Sequence, residues 1–253
     1  MAGNDPPGPR PPPRRGRHRT RRHHPHRQRG TGVVLVPATA TENPRRVGLL
    51  GGTFDPPHLG HLMIAETARV ALQLESVLFV PAGEPWLKSG QQITAATHRL
   101  RMVELAVADN PYFHVCDCEI RRSGATYTVD TLHELRSAYP GDAELYFIVG
   151  SDVLCEFHRW KEPESILALC RLAVIERPGG PSDGMETLAR RFPSAIANGA
   201  VVSLAGPRVD FSASELRRTL ATGRSVRYQV PDAVAQYITE HHLYRTECSG
   251  NDD

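Results

Sequence analysis

The sequence predicts an α/β protein with a doubly wound parallel sheet behind a disordered N-terminal tail. From Val47 onward, short apolar and β-branched runs alternate with stretches of helical periodicity. The predicted helices run to about 10 to 17 residues, a length that suits the right-handed crossovers between parallel strands. A chain of 253 residues, 40% of them hydrophobic, can build a sizeable core in one or two domains.

The N-terminal segment differs in composition from the rest. Residues 1–46 hold eleven arginines against Asp5 and Glu42, a balance of +9, so with an overall charge of +2 the remainder carries −7. A segment rich in Pro, Arg and His buries too little apolar area to offset its chain entropy. We therefore predict a disordered tail at 1–46, a folded domain at 47–246 and a short C-terminal tail at 247–253. A start site assigned too far upstream would also explain the first segment.

Composition also limits the function classes. An acidic body is not typical of a nucleic-acid binder, although the tail alone could contact RNA or anionic lipid. No apolar run reaches the ~18 residues of a membrane helix, and the N-terminus lacks the apolar stretch of a signal peptide. Five irregularly spaced cysteines are typical of reduced thiols. We expect a cytoplasmic protein that requires neither membrane nor nucleic acid, and a homo-oligomer stays open.

The elements are predicted in order along the chain. The first buried strand is 46–50, a helix follows at 58–74, and 76–83 is the second strand. The next helix begins at Thr94, its predicted N-cap, and stops before Asn110 and Pro111. The remaining elements are a strand near 112–117, a helix at 128–139, strands at 144–152, 171–175 and 200–206, and helices near 212–222 and 231–242.

The stretch GGTFDPPHLGH, residues 51–61, directly follows the first predicted strand. Gly51 and Gly52 have no Cβ atoms, so backbone amides there can come close to an oxyanion. Pro56 and Pro57 suit the start of a helix, where their missing N–H groups cost nothing. Ligands of doubly wound sheets bind outside the carboxyl ends of the strands. We therefore expect this stretch to line a ligand site.

Two histidines stand three residues apart at the predicted helix start. His58 and His61 project from the first turn toward the positive end of the helix dipole, and Gly60 keeps the space between them open. This arrangement favours an anion such as phosphate. Zinc is the alternative, but the stretch supplies no third ligand, and Cys116 with Cys118 lacks a second cysteine pair. We predict no protein-bound metal.

The motif resembles the nucleotidyltransferase superfamily, which carries His-x-Gly-His after its first strand. The fuller GGTFDPPHLGH is similar to the nicotinate-mononucleotide adenylyltransferase family in particular. Further segments resemble that family in the same order: PAGEPWLK (81–88), ATYTVDTL (125–132), VGSD (149–152), RWKE (159–162), ERPG (176–179), FSASELRR (211–218) and PDAVAQYITEHHLYR (231–245). The resemblance spans Val47 to Arg245 and implies a Rossmann-like nucleotidyltransferase fold.

The activity that the resemblance implies is adenylyl transfer. The 5′-phosphate of nicotinate mononucleotide attacks the α-phosphorus of ATP, giving deamido-NAD and pyrophosphate. The attacking phosphate is already an anion, so the reaction needs orientation and charge stabilisation rather than a serine or cysteine nucleophile. Mg2+ is expected to arrive bound to the triphosphate, without a dedicated protein ligand.

The resemblance also implies roles for individual residues. The catalytic set is His58, His61 and Arg217. The ATP-binding set is Gly51, Gly52, Thr53, Phe54, Gly60, Gly150, Asp152, Ser212 and Ser214. The nicotinate mononucleotide-binding set is Trp86, Lys88, Arg99, Tyr127, Thr128, Trp160 and Lys161. Ala213 departs from the family's Ser-Ser-Thr, which puts one hydroxyl contact in doubt, and Arg177 could reach phosphate or adenine.

Local structural roles are the alternatives to these assignments. Asp152 could cap the following helix, Thr126 or Thr128 could cap the helix at 128, and Trp160 could be a core residue. Other acceptors, such as phosphopantetheine or glycerol phosphate, stay open within the superfamily. A nucleic-acid-binding module acting through the tail is a more remote alternative. The residues do not decide between nicotinate and nicotinamide.

Overall fold

Strands and helices alternate along the chain in the computed structural model, which describes residues 45–86, 92–139, 141–176 and 183–245. The strands are β1 (Arg46–Gly52), β2 (Ser76–Pro81), β3 (Glu84–Pro85), β4 (Phe113–Val115), β5 (Ala125–Thr126), β6 (Glu144–Gly150), β7 (Arg171–Glu176) and β8 (Val201–Ala205). The helices are α1 (Leu59–Ala71), α2 (Ala96–Val107), α3 (Cys118–Arg121), α4 (Thr128–Ala138), α5 (Pro163–Leu169), α6 (Gly184–Arg191), α7 (Pro193–Ala197), α8 (Ala213–Ala221) and α9 (Asp232–Glu240). A 3-10 helix, Ser151–Arg159, follows β6.

Six strands form one parallel sheet in the order β4-β2-β1-β6-β7-β8. Strands β2 and β4 are added on one side of β1, and β6, β7 and β8 are then added on the other side. The strand order therefore reverses between these two strands, which is the switch point where doubly wound sheets bind ligands. Strands β3 and β5 form a separate two-stranded parallel sheet. The predicted Rossmann-like, doubly wound architecture is confirmed.

The sheet is buried on both faces because successive side chains of a strand point to opposite sides. In β1, Leu49 belongs to the core cluster that contains Leu132 and Leu135 of α4. Its neighbour Leu50 belongs to the cluster on the other face, with Ala65 of α1 and Val103 of α2. All six residues of β2 are buried, as expected of a strand covered by helices on both sides.

A third apolar cluster joins the C-terminal helices to α2. Met102 of α2, Leu216 of α8, and Val234 and Ile238 of α9 are all buried together. This packing holds the C-terminal part of the chain beside α2, which follows the loop region after β2. The segment after α9 thereby lies close to the loop before α1, where Tyr244 contacts Asp55.

The predicted strands are confirmed, but several helix boundaries were wrong. Helix α1 is shorter than 58–74: its C-cap is Leu72, and Gln73 adopts a left-handed φ of 53° that turns the chain toward β2. Pro56 and Pro57 precede the helix instead of opening it. Helix α2 starts at Ala96 with Ala95 as its N-cap, so the predicted N-cap Thr94 lies one residue too early.

The folded part starts slightly earlier than the predicted boundary after residue 46. Arg46 is the first residue of β1 and pairs with Glu144 at 2.9 Å, and Arg45 pairs with Glu75 at 2.9 Å. The rest of the predicted N-terminal tail, residues 1–44, lies outside the described residues, as does the C-terminal tail. All described residues fall within one unit, and their four cysteines are free thiols. None of their helices combines the length and the apolar content needed to cross a membrane.

Candidate functional site

A cavity of about 400 Å³ opens beyond the carboxyl ends of β1 and β6. It therefore lies at the point where the strand order reverses. Many of the residues predicted from the sequence line it: Gly51, Gly52, Thr53, His61, Trp86, Thr128, Gly150, Asp152 and Trp160. Residues that were predicted for two different substrates are thus brought together around one space.

Aromatic rings pack closely against the glycines at the end of β1. A Cβ atom on Gly51 would lie 3.3 Å from the ring of Phe147, and one on Gly52 would lie 3.2 Å from the ring of Phe54. Phe54 itself has a left-handed φ of 51° and is buried. Its ring meets that of His61 edge-on at 4.9 Å. The ring of Phe54 therefore packs against that of His61, and the assignment of Phe54 to the ATP-binding set stays a prediction.

The first turn of α1 orders the two histidines. His58 is the N-cap, and its extended backbone places its N–H 3.1 Å from Nδ1 of His61, which accepts the hydrogen bond. The proton of a neutral His61 ring is therefore carried by Nε2, which makes this atom the ring's donor. The two rings stack with centroids 3.7 Å apart and planes 22° apart.

His58 is less accessible than its partner. It is buried and lines a small side pocket of about 30 Å³ with Gly60, Gly150 and Phe211. A Cβ atom on Gly60 would lie 3.0 Å from Nδ1 of His58 and 3.2 Å from Cδ2 of Phe211. Gly60 was expected to keep the space between His58 and His61 open, whereas the atoms closest to its missing Cβ belong to His58 and Phe211.

The start of α8 lies beside the start of α1. Phe211, just before the α8 N-cap Ser212, has its ring centroid 6.0 Å from that of His58. Both helices therefore present the positive ends of their dipoles to the same region, although the N–H of Leu59 at the start of α1 already donates to the carbonyl oxygen of Gln229 at 2.9 Å. Two helix N-termini close together form a favourable environment for a polyanion.

Arg217 contacts the loop between β1 and α1, residues 53–58, which we call the phosphate-type loop. The contact is to a backbone carbonyl of that loop and lies away from the wall of the main cavity. Nη1 of Arg217 donates to the carbonyl oxygen of Asp55 at 2.7 Å, and its Nη2 donates to Ser214 Oγ at 3.3 Å. Asp55 stands three residues before His58, so the guanidinium lies at the entrance to α1. Neither Arg217 nor Ser214 lines the main cavity, and their predicted roles in catalysis and ATP binding stay predictions.

The end of β6 supplies an acidic group to the cavity. Gly150 is the N-cap of the 3-10 helix, and Asp152 lies in its first turn. Asp152 therefore does not act as the cap, which was its alternative role. Asp152 lies on the cavity wall, where the sequence predicted an ATP-binding residue.

Trp160 packs against core residues and also lines the cavity. Its ring contacts Phe147 at 5.9 Å and Phe157 at 5.4 Å between centroids, so part of the indole packs against the core. The residue also lines the cavity. Its Nε1 is buried and has no hydrogen-bond partner among the described residues.

The other predicted nicotinate-side residues divide into two groups. Trp86 and Thr128 line the cavity, and the Tyr127 ring stands 6.0 Å from that of Trp86. Lys161 instead extends over the surface, where its Nζ pairs with Asp130 at 2.9 Å. Tyr127 is the N-cap of α4, so the capping roles considered for Thr126 and Thr128 were wrong. Lys88 and Arg177 lie outside the described residues.

Arg99 was predicted to bind nicotinate mononucleotide, but its side chain is enclosed within the protein. It is 1% exposed, and its guanidinium donates at 2.9 Å to three carbonyl oxygens, those of Thr53, Gly83 and Thr94. A side chain so enclosed holds the loops around the cavity together and does not contact a ligand directly. The sequence showed only an arginine in a helix, with nothing to distinguish a surface cation from a buried one.

Sequence reasoning missed Glu119, which lines the cavity. Burial raises the pKa of this carboxyl, and Thr131 Oγ1 donates to its Oε1 at 2.7 Å. It also missed the side chain of Asp55, which is 3% exposed and accepts a hydrogen bond of 2.6 Å from the hydroxyl of Tyr244. Neither carboxylate has a local signal, because its partners lie in other elements.

The donor set around the cavity does not suit a dedicated magnesium site. Among the described residues, no group of three or more His, Cys, Asp or Glu side chains is placed to hold a metal ion. The acidic residues on the cavity wall are Glu119 and Asp152, and the histidines offer nitrogen, which matches a hard cation poorly.

Comparisons with known proteins agree with this geometry. A family model described as cytidylyltransferase-like matches residues 49–219. A probable nicotinate-nucleotide adenylyltransferase of Roseiflexus sp. (strain RS-1) is 48% identical over 199 residues, covering 79% of this chain and 98% of the relative. The probable nicotinate-nucleotide adenylyltransferase of Thermomicrobium roseum is 46% identical over 201 residues, with 79% and 92% covered.

A solved structure shares the fold. The Plasmodium falciparum nicotinic acid mononucleotide adenylyltransferase complexed with NaAD matches with a TM-score of 0.66 at 21% identity, covering 79% of this chain and 97% of that one. The extent of the family-model match and the identity to the curated relatives decide the family. The chain belongs to the nicotinate-nucleotide adenylyltransferases, within the cytidylyltransferase-like family.

Proposed function

We propose that the protein transfers the adenylyl group of ATP to nicotinate mononucleotide. A phosphate oxygen of the mononucleotide attacks the α-phosphorus of ATP, the bond from that phosphorus to the α,β-bridging oxygen breaks, and pyrophosphate leaves. The product is deamido-NAD, an intermediate in NAD biosynthesis. One observation carries the proposal: His61, at the phosphate-type helix start, and Trp160, an aromatic platform, line the same cavity at the switch point of the sheet.

The phosphate end of the site acts by position and charge. The hydrogen bond that His61 Nδ1 accepts from His58 leaves Nε2–H to donate to an α-phosphate oxygen. The N-termini of α1 and α8 add the positive ends of their dipoles, and Arg217 adds a cation beside Asp55. Donors that are already in place before charge develops stabilise the transition state without further reorganisation.

The two nucleosides would occupy the ends of the cavity farthest from the histidines. Asp152, in the first turn after β6, would accept hydrogen bonds from the adenosine ribose hydroxyls. Trp160 would stack on the pyridine ring, with Trp86 and Thr128 bordering it. Lys161 would take part through its backbone, because its side chain pairs with Asp130.

Magnesium would enter with ATP as part of the substrate and keep most of its waters. It needs at most one or two carboxylates from a protein, and Asp152 and Glu119 line the cavity. We further propose that the protein works in the cytoplasm, that residues 45–246 form the catalytic domain, and that neither nucleic acid nor membrane is required.

A pyrophosphate-release assay tests the proposed function. The full-length protein is incubated with Mg·ATP and one acceptor at a time: nicotinate mononucleotide, its amide, phosphopantetheine or glycerol phosphate. We expect the highest kcat/KM with nicotinate mononucleotide and the formation of deamido-NAD. Preferred release with phosphopantetheine or glycerol phosphate would assign a different acceptor, and no release with any acceptor would overturn adenylyl transfer. The His61→Ala variant is the matched control for contaminating activity.

A further inference from the structure

Residues from opposite ends of the described chain meet beneath the phosphate-type loop. The hydroxyl of Tyr244 donates to Oδ1 of Asp55 at 2.6 Å, although 189 residues separate the two. The second carboxylate oxygen, Oδ2, accepts from the backbone N–H of Thr94 at 3.3 Å. Asp55 is 3% exposed, so the carboxylate is held from both sides within the protein.

The same residue holds Arg217 through its backbone. The carbonyl oxygen of Asp55 accepts from Nη1 of Arg217 at 2.7 Å. The carboxylate and the carbonyl belong to the same residue, so contacts that hold the side chain of Asp55 also restrain the position of its Cα and of the backbone next to it. The direction of that carbonyl, and with it the place of the guanidinium, therefore depends on the contacts that the Asp55 carboxylate makes.

Tyr244 is held in an unusual backbone conformation. Its φ is 62°, in the left-handed region, which is unfavourable for a residue with a side chain unless its surroundings compensate. His242, two residues earlier, has a φ of 52°. The segment after α9 thus takes a strained path that ends with the phenol against Asp55. Burial, and then Asp55, raise the pKa of Tyr244, so the hydroxyl keeps its proton and remains a donor.

We infer that Tyr244 and Asp55 are positioning residues for Arg217: the phenol fixes the Asp55 carboxylate, whose peptide carbonyl in turn sets the guanidinium at the entrance to α1. The inference rests on the proposed function, because it concerns the same phosphate-binding site. It gives the C-terminal segment a defined part in that site. Arg99 holds the neighbouring Thr53 carbonyl at 2.9 Å, so the loop is anchored independently on its other side.

The first test is the kinetics of Tyr244→Phe, which removes only the hydroxyl. We expect kcat to fall about tenfold, since small displacements of a positioned group cost rate steeply, with little change in the KM for either substrate. Tyr237→Phe is the matched control. Tyr237 belongs to α9, and its hydroxyl lies 2.9 Å from Nδ1 of His98, away from the loop. The control is expected to keep the wild-type kcat.

A double-mutant cycle distinguishes positioning from general support of the fold. Tyr244→Phe is measured again in an Arg217→Ala background at raised enzyme concentration. If the hydroxyl acts through Arg217, Tyr244→Phe causes no further fall in kcat once Arg217 is replaced. Any lowering of the melting temperature by Tyr244→Phe is then the same with and without Arg217. Equal falls in kcat in both backgrounds would overturn the inference, as would an unchanged kcat in Tyr244→Phe alone.

The cycle also separates this inference from the proposed function. A wild-type protein that forms no deamido-NAD overturns both. An active wild type with an unaffected Tyr244→Phe overturns the positioning role alone. Should Tyr244→Phe fold poorly, Asp55→Asn takes its place in the cycle. The amide oxygen of the asparagine can still accept from Tyr244, but its amide nitrogen would face the N–H of Thr94, which is also a donor. We expect Asp55→Asn to lower kcat as Tyr244→Phe does, and to cause no further fall in kcat in the Arg217→Ala background.

Discussion

The imidazole rings of His58 and His61 lie face to face, with centroids 3.7 Å apart, at the entrance to α1. The main-chain N–H of His58 donates to Nδ1 of His61, so the two residues are ordered before any ligand arrives. Preorganised donors of this kind act where charge develops during phosphoryl transfer. The consequences for each part of the site can be measured.

His61→Ala removes the ring that lines the main cavity. We expect kcat to fall by about 10² to 10³, the usual effect of losing one preorganised donor, with a much smaller change in the KM for ATP. Initial rates over a range of ATP concentrations measure both. His133→Ala, an exposed histidine of α4, is the control and should leave both values unchanged. A variant of His61 with the wild-type kcat would remove this residue from the mechanism.

Trp160→Phe tests the nicotinate side. A phenyl ring keeps much of the packing against Phe147 and Phe157 but offers a smaller stacking surface. We expect the KM for nicotinate mononucleotide to rise several-fold while the KM for ATP is unaffected. Thermal unfolding of the variant checks that the core is intact. A selective rise in the KM for ATP would place Trp160 on the other side of the site.

Arg99→Met tests the corrected role of Arg99. Without the guanidinium, three buried carbonyls lose their donors, so we expect the free energy of unfolding to fall by about 3 kcal/mol. Denaturant unfolding measures the loss. Arg101→Met, an exposed position of the same helix paired with Glu104, should have little effect. Undiminished stability together with a raised KM for nicotinate mononucleotide would restore the direct contact predicted from the sequence.

Glu119→Gln tests the buried carboxyl through the pH dependence of stability. Burial raises the pKa of Glu119 above its ordinary value of 4.5, so the folded state binds this proton more tightly than the unfolded state. Its contribution to stability is therefore complete below pH 4.5 and is lost as the pH rises through the folded-state pKa.

Glutamine stays neutral and can still accept from Thr131. We expect Glu119→Gln to gain stability relative to the wild type as the pH rises from 4.5 to neutrality. Unfolding free energies at a series of pH values give the difference. Glu134→Gln, which loses a pair with Arg122 at 2.8 Å, should show no such gain. A difference that shrinks with rising pH would contradict the assignment.

Removal of residues 1–44 tests the independence of the folded domain from the arginine-rich segment. Arg45 and Arg46 must be kept because they pair with Glu75 and Glu144. We expect kcat and both KM values to match those of the full chain. Lost turnover, with the melting temperature unchanged, would show that the segment takes part in catalysis.

Features that depend on residues close together in the sequence were predictable. The strands follow from local runs of apolar residues, such as the six buried residues of β2, and the relation of His58 to His61 follows from the geometry of one helical turn. Gly51, Gly52 and Gly60 follow from the same stretch, although the rings that require them come from Phe147, Phe54 and Phe211.

Features that depend on distant residues were not predictable. Nothing near Arg99 indicates that its guanidinium will be enclosed by carbonyls from three loops. The contact of Tyr244 with Asp55 arises only because α9 packs on α2. Helix ends such as that of α1 depend on where the chain must turn to enter the next strand, which a left-handed Gln73 accomplishes here without a glycine.

The most direct test of the account is a structure of the protein with a non-hydrolysable ATP analogue and nicotinate mononucleotide. We predict α-phosphate oxygens about 2.7–3.2 Å from Nε2 of His61, with the guanidinium of Arg217 close to the phosphate chain and the pyridine ring against Trp160. Imidazoles that coordinate a zinc ion, or phosphates bound elsewhere than at the switch point of the sheet, would contradict it.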